Sequence, residues 1–488
     1  MTNSPLPGPG SLLRRTLGEW RIALVAWRLL VLQNADPAVA AGVGHYSTYR
    51  AHPWRRVEHT MDSGRRLFFS DREGLRSEIT RLERSHRRIN GTDPQGRPFT
   101  ALDPAVRVWV LMTLYESMTA MRELSGDPLS PAELDQLYGE FRTVCAEFGL
   151  PEELYPATAA EVPAYIDRTV RERLEFGEVV EDFLYGVLRQ APAPRRLGRL
   201  RPAWPLLRVV VARTLTALTL ADLPPAFRAR FGLRRSPSAA VLSWTLHRGT
   251  RLVMTRLPDR MRYRTATGEV SAPPRSPKHA APVGHASRGS QWSAAKAPAM
   301  PRQRGGSTGA DSRARRVDAF FRQVLDQTGD GCITAVDLQS MAHNVCWQLE
   351  LDDDRQAEVY AAFDTWWRHI RATMDADSDG RVSRTEFVTA VLAGVDRDPD
   401  YLDKGLRVAV RALFRAADAD ASGRLCADEY RALFGGSRVH PAELNHGFRQ
   451  LDIDGDGEIS EDEFMAAFTD YFTARADTTA GTQLLGRA

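Results

Sequence analysis

The sequence predicts an all-α protein: a helical front domain, a disordered linker, and a second helical domain built on a fourfold repeat. Three observations carry this. Helix-capping signals recur through residues 1–262, apolar periodicity vanishes over 263–315, and one twelve-residue pattern occurs four times within 316–475, before a short tail at 476–488. With 488 residues, 43% of them apolar, the chain has material for two or three packed domains.

In the front domain, Asp36-Pro37, Asp103-Pro104, Ser130-Pro131 and Ser236-Pro237 each set a capping side chain before a proline. Proline suits the first helical turn because its missing N–H would be unpaired there anyway. Ser130 has Glu133 three residues on, a capping box, and the helix it opens is expected to stop at Gly149. No alternating pattern with hairpin turns competes. The apolar run Ile22–Leu32 is broken by Arg28 and lacks a following small-residue cleavage site, so no signal peptide is expected. The longest apolar stretch, 204-WPLLRVVVARTLTALTLADLPP-225, carries Arg208 and Arg213 and is too interrupted to read as a membrane span. It admits a place on a membrane surface, but a buried or amphipathic helix is the preferred reading.

The linker, exemplified by 271-SAPPRSPKHAAPVGHASRGS-290, cannot bury enough surface to offset its ordering entropy. It reads as a flexible, basic, solvated tether. The net charge of +3 hides a split: residues 317–470 hold 31 acidic and 15 basic side chains, a balance of −16, leaving +19 for the rest. An acidic half suits cation binding or solvation. A basic half suits an acidic ligand, a membrane surface or nucleic acid, but no aromatic-interleaved basic motif is present, so nucleic acid is not expected. Cys145, Cys332, Cys346 and Cys426 are scattered without a CxxC, which fits a reducing compartment and a cytoplasmic location.

The repeat comprises 326-DQTGDGCITAVD-337, 375-DADSDGRVSRTE-386, 418-DADASGRLCADE-429 and 452-DIDGDGEISEDE-463. Each has Asp first, Gly sixth, an aliphatic residue eighth and a carboxylate twelfth. This is the chemistry of an EF-hand calcium loop, since calcium takes six to eight oxygens in flexible geometry. Positions one, three and five offer side-chain oxygens: Asp326, Thr328 and Asp330; Asp375, Asp377 and Asp379; Asp418, Asp420 and Ser422; Asp452, Asp454 and Asp456. Position seven (Cys332, Arg381, Arg424, Glu458) offers a backbone carbonyl. Position twelve (Asp337, Glu386, Glu429, Glu463) closes the shell. The eighth residues, Ile333, Val382, Leu425 and Ile459, should pair between partner loops. Up to four calcium ions are expected, with loops two and four richest in carboxylates. Loop one, with Thr328 and the shorter Asp337, suits magnesium or weak calcium. The spacing of the loops resembles calerythrin and the sarcoplasmic calcium-binding proteins, which implies a compact globule that mainly buffers calcium. The domain is methionine-poor, unlike a sensor with a sticky groove. Its large aromatics, among them Phe320, Phe363, Trp366 and Trp347, are expected in the core.

One histidine stands out in 81-RLERSHRRINGTD-93. His86 falls at helical spacing from Ile79, Leu82 and Ile89, while Arg81, Arg84, Arg87 and Arg88 fall largely off that face. By residues alone His86 is a core histidine or a metal or cofactor ligand, and the front domain says little beyond "helical".

Four stretches resemble the haem-dependent oxygenase family that includes the MpaB oxygenase of mycophenolic acid synthesis and the latex-clearing rubber oxygenases: 33-QNADPAVAAGVGHYSTYRAHPWRRVEHT-60, 84-RSHRRINGTDPQGRPFTALDP-104, 129-LSPAELDQLYGEFRTVCAEFGLP-151 and 222-DLPPAFRARFGLRRSP-237. The resemblance implies that His86 is the proximal ligand of haem b iron and that Arg56, His59 and Thr60 serve the distal, catalytic side. Those three share one helical face at i, i+3 and i+4. The arginines around His86 would hold haem propionates or form a solvated face, the latter being preferred. Three positions depart from the family pattern: Glu83 stands where members often have arginine, Leu111 where many have histidine, and His59 where they have lysine or arginine. An imidazole at 59 could itself bind iron and give a redox or storage role.

The expected function is therefore a haem b oxygenase acting on an apolar or lipid-like small molecule, fused to a calcium-binding domain; regulation, by calcium changing how that domain docks on the basic front half, is a third and weaker reading. The alternative is a non-catalytic calcium buffer or sensor whose front domain is a haem carrier or scaffold. A membrane surface is a further partner considered but not favoured.

Overall fold

The computed structural model describes residues 5–47, 49–50, 53–191, 193, 203–263, 312–328, 330–434 and 447–475. The expected tether (its residues 264–311) and the expected tail lie outside the described residues.

The front domain is a packed set of helices. Helices α1 (Leu12–Gly18) and α2 (Ile22–Asn34) lead to α3 (Pro37–Tyr46), which Asp36 caps by accepting from the N–H groups of Ala38 and Val39. Next come the antiparallel pair α4 (Pro53–Phe69) and α5 (Arg72–His86) and a small hairpin, β1 (Asn90–Thr92) with β2 (Pro98–Thr100). Alternation does not reveal this hairpin, because three-residue strands are too short to show a two-residue period. Asp103 caps α6 (Pro104–Leu124), and Ser130 and Glu133 close the expected capping box on α7 (Pro131–Glu147). Just beyond α7, Gly149 takes φ +62°, the left-handed turn that a glycine makes at least cost. Helix α8 (Val162–Glu172) packs on α6, and α9 (Trp204–Asp222) packs along α10 (Pro237–Met254), which Ser236 caps. Leu32, Trp109, Met118, Phe141 and Val170 are among the buried side chains where these helices meet.

The preferred reading of α9 needs correction. Its second half is buried through Leu218, Thr219 and Ala221, but its first three turns are exposed on nearly every side, with only Trp204 and Ala212 buried.

Arg28, which breaks the first apolar run, is buried and fully engaged. It donates from Nη1 to Glu116 at 2.6 Å and from Nε to the Asp222 carbonyl at 2.7 Å. Asp222 in turn binds His247 Nε2 at 2.8 Å and accepts from Ser243, both on the buried stripe of α10. This hub joins residues nearly two hundred positions apart. Buried charge persists only where each partner is satisfied.

The second domain has its own core of Phe320, Phe363, Trp366, Phe414, Phe464 and their neighbours. Helix α11 (Arg313–Phe320) opens it. Then α12 (Ala335–Gln348) follows β3 (Cys332–Ile333), α13 (Asp353–Met374) leads to β4 (Val382–Ser383), and α14 (Arg384–Arg397) and α15 (Leu406–Ala417) follow. The last elements are β5 (Arg424–Leu425), α16 (Ala427–Phe434), β6 (Ile459–Ser460) and α17 (Glu461–Thr473). As expected, the eighth loop residues pair: Ile333 opposite Val382, and Leu425 opposite Ile459.

Removing the Asp222 carboxylate leaves His247 and Ser243 buried without their partner. Asp222→Ala should therefore cost about 3 kcal/mol of stability in urea unfolding. A loss below about 1 kcal/mol would show that the hub is dispensable.

Candidate functional site: a histidine helix shared with a calcium domain

Helix α5 carries two stripes. Leu75, Ile79, Leu82 and His86 recur at helical spacing, and Leu75 and Ile79 are buried in the front core while Leu82 and His86 are half-buried. Arg81, Ser85 and Arg88 form the adjacent stripe. It faces the second domain. The Arg81 guanidinium lies 3.7 Å from the centre of the Trp347 ring, and Arg88 lies 4.3 Å from that of Tyr360. Ser85 Oγ and His343 Nε2 are 3.4 Å apart. On the flank, Arg84 bonds the Leu351 carbonyl at 3.2 Å, and Arg84 and Arg87 both reach Asp353 at 3.2 Å. The expectation of a solvated arginine face is thus wrong: these side chains grip the acidic domain. Trp347, expected in the core, is half-buried at this contact.

The contact extends to neighbouring elements. Ser340 Oγ donates to the His45 carbonyl at the end of α3 at 2.9 Å, and Arg66 on α4 bonds Glu350 at 2.5 Å. Glu350 sits just past α12 at φ +52°, in the left-handed region that costs a non-glycine residue of order 1–2 kcal/mol. The ion pair to Arg66 helps offset that cost. Cys346 lies beneath, its thiol pushed by burial up to about 12, so it is a packing residue and not a nucleophile.

The end of α5 is fixed from behind. Ile89 N–H donates to the His86 carbonyl and Ala101 N–H to the Ile89 carbonyl. Within the hairpin, Asp93 accepts from the N–H groups of Gln95 and Arg97 and from the Arg97 guanidinium. The conspicuous GTDPQGRP segment therefore works as a staple that holds the His86 helix end in place.

Across from α5, Ser63 on α4 donates to Glu78 at 2.6 Å. That antiparallel register sets Thr60 level with Arg81, and Arg56 level with Ser85, one residue from His86. Arg56 and His59 lie in α4, but their side chains are outside the described residues, and Thr60 is exposed. Glu83 is met by Arg107 from α6 at 2.9 Å, and Leu111 is buried. The donor set fits a haem in its chemistry: an imidazole on the core-facing stripe, apolar neighbours along that stripe, and a second helix at the same level. Sequence reasoning missed the Asp222–His247–Ser243 hub, whose members are too far apart in the chain to form a motif.

In loops two, three and four, the first, third and twelfth carboxylates converge, their nearest oxygens within 4.8 Å of one another: Asp375, Asp377 and Glu386; Asp418, Asp420 and Glu429; Asp452, Asp454 and Glu463. The sixth glycines take φ of +77° to +89°, bending the chain around the centre. Asp452 Oδ1 is buried with no hydrogen-bond partner among the described residues, which suits a cation ligand. Loop one differs in residue type and burial: Thr328 stands third, and Asp337, twelfth, is fully buried. Its oxygens accept from the N–H groups of Gln327, Thr328 and Thr334, as Glu386 accepts from Ala376 and Ser383, Glu429 from Ala419 and Cys426, and Glu463 from Ile453 and Ser460. Asp326 accepts from Asp330 and Gly331. The fifth-position carboxylates meet cations from the partner loop: Asp330 is bonded by Arg381 at 2.6 Å, and Asp456 by Arg424.

A guanidinium on a ligand carboxylate opposes a calcium ion there. Arg424→Ala should tighten binding at loop four by about threefold, the scale of one exposed ion pair, in calorimetric calcium titration. Weaker binding would mean that Arg424 instead holds Asp456 in place for calcium.

Residues 14–255 match the family model of the ER-bound oxygenase mpaB/B'/rubber oxygenase catalytic domain. Residues 407–469 match an EF-hand domain pair and residues 372–392 an EF hand, ranges that cover loops two to four. Uncharacterized proteins of Mycobacterium tuberculosis and Mycobacterium bovis are each 27% identical to the chain over 218 residues, 42% of this chain and 78% of theirs. Among solved structures, a Streptomyces coelicolor calcium-binding protein is 28% identical, over 34% of this chain and 99% of its own, with a TM-score of 0.30. A sarcoplasmic calcium-binding protein from amphioxus is 19% identical, over 37% and 98%, with a TM-score of 0.31. The front domain thus belongs to the mpaB/rubber-oxygenase catalytic-domain family, and it is joined in one chain to a calcium-binding EF-hand domain.

Proposed function

We propose that the front domain is a haem b-dependent oxygenase acting on an apolar substrate, and that the calcium domain regulates it through α5. The observation that carries this reading is the division of α5: His86 lies on the stripe facing the front core, and the arginines beside it are held by the calcium domain. Haem iron, when bound, supplies dioxygen binding and activation. His86 would hold it through a neutral ring nitrogen, a role that needs the other nitrogen oriented by an acceptor. Arg56, on α4 at the same level, and His59, level with Leu82, are the residues that would serve the opposite side. Leu75, Ile79 and Leu82 keep water from the stripe that His86 ends.

Regulation follows from a rigid connection. Helix α13 is 22 residues, about 33 Å, long. Its first turns present Asp353 and Tyr360 to Arg84, Arg87 and Arg88, and its last residue, Met374, adjoins the first ligand of loop two. A change in the angle at which α13 leaves that loop is carried to the end of α5. A domain serving only as a buffer has no need of such a grip, which favours regulation over storage.

Two measurements test the reading. Full-length protein produced with haem supplementation should show a Soret band, and His86→Ala should lose it while keeping its helicity; colourless wild-type protein would refute haem binding. The spectrum or dioxygen consumption should also differ between calcium and chelator by about fivefold in half-saturation or rate, the scale of ordinary coupling. Combining Arg84→Ala with Arg87→Ala should remove that difference while calcium binding persists. If wild-type protein binds calcium and haem but neither signal responds, the calcium domain does not regulate the front domain.

A further inference from the structure

We propose that α9 and α10 form a face that docks on an anionic lipid bilayer. This goes beyond the oxygenase reading and stands independently of it. In the first turns of α9, Leu206 is 79% exposed and Val210 63%. On α10, Leu252 is 56% exposed and Val253 55%, and further along, where Ser243 and His247 meet Asp222 at the end of α9, Val241 is 64% exposed and Trp244 59%. Helices α9 and α10 pack on each other, so these side chains run along the outside of one helix pair. Monomeric soluble proteins rarely leave so many large aliphatic groups together in water.

The charge on this region identifies the occupant. Residues 203–263 contain eleven arginines and two carboxylates, Asp222 and Asp259. Asp222 is buried against His247, which leaves Asp259 as the one exposed acid among the described residues of this region. A second copy of the chain would bring an equal positive surface onto this one and be repelled. An anionic bilayer satisfies both parts at once. Leu206, Val210 and Val241 enter the acyl boundary, Trp244 sits at the headgroup level, and arginines such as Arg213 and Arg248 extend to lipid phosphates.

The face lies on the bilayer and does not cross it. By length and composition α9 could span a membrane. Its second half, however, is packed into the front core, and Asp222 at its end holds His247. Drawing the helix through a bilayer would dismantle that packing.

The test is co-sedimentation of the full-length protein with vesicles of phosphatidylcholine alone or with added phosphatidylglycerol. The protein should partition onto the anionic vesicles, and high salt should weaken that partition. Val210→Glu combined with Trp244→Glu should reduce it at least about tenfold, with an unchanged thermal melt because both side chains are exposed. The proposal is overturned if wild-type protein fails to bind anionic vesicles, or if the double variant binds as well as wild type. It is also overturned if the wild type is a dimer that ignores vesicles and the double variant is a monomer, which would assign the face to a second copy.

Discussion

A single buried carboxylate, Glu78, organises the contact between the two domains. It accepts from Ser63 on α4 and takes both Nε and Nη2 of Arg81, at 2.8 and 2.6 Å. The two bonds fix the guanidinium plane, and a fixed plane can lie flat on the Trp347 ring. Arg66, at 3.6 Å from Glu78, is drawn to the same place and from there reaches Glu350. A carboxylate this deep is tolerable because it is so fully paired. By holding α4 and α5 in register it also decides which residues of α4 stand opposite His86. The docking of the calcium domain and the geometry around the histidine therefore rest on the same set of bonds.

This sharing sets the terms on which calcium can act. A ligand shifts an equilibrium only by its differential affinity for two states. The loops supply such a difference if their closed form favours one setting of α13. Loops two, three and four bring a first, a third and a twelfth carboxylate together, whereas loop one has Thr328 third and the shorter, fully buried Asp337 twelfth. The hand whose exit helix, α12, lies against α3 and α5 is thus the one with the shortest closing carboxylate. On the proposed regulation it would serve as the fixed foot, and the neighbouring hand, paired to it through Ile333 and Val382, would be the part that responds.

How much could be read in the chain depended on how local each feature is. Helix starts at Asp36, Asp103, Ser130 and Ser236 were legible because a cap and its N–H partners lie within a few residues. The calcium loops were legible because all their chemistry sits in twelve consecutive positions. The two faces of α5 were legible as a pattern, but not their partners. Periodicity says which side is apolar; it does not say that a charged side will meet Asp353, the Leu351 carbonyl and two aromatic rings more than 250 positions away. Trp347 reads as a core residue in the sequence for the same reason, since a large aromatic in a helical pattern looks alike whether it fills a core or underlies an arginine. The Asp222–His247 hub was invisible because its members acquire meaning only when α2, α6, α9 and α10 converge.

The distribution of charge shows how one composition serves two surfaces. The front half carries a large excess of arginine, and the fold divides that excess between two places. One group gathers along α5 and its neighbours, where it meets acidic and aromatic partners within the chain and is neutralised. The other gathers on α9 and α10 beside exposed leucine, valine and tryptophan, with almost no acid nearby. Had the excess served solubility alone, it would be spread evenly and set apart from apolar side chains. The first group's match with its partners gives the calcium domain a definite seat; the second group meets fewer carboxylates, Arg251 lying near Asp127 and Arg262 near Glu19, and on the proposed reading its exposed members would turn the apolar helices toward a surface that carries the opposite charge.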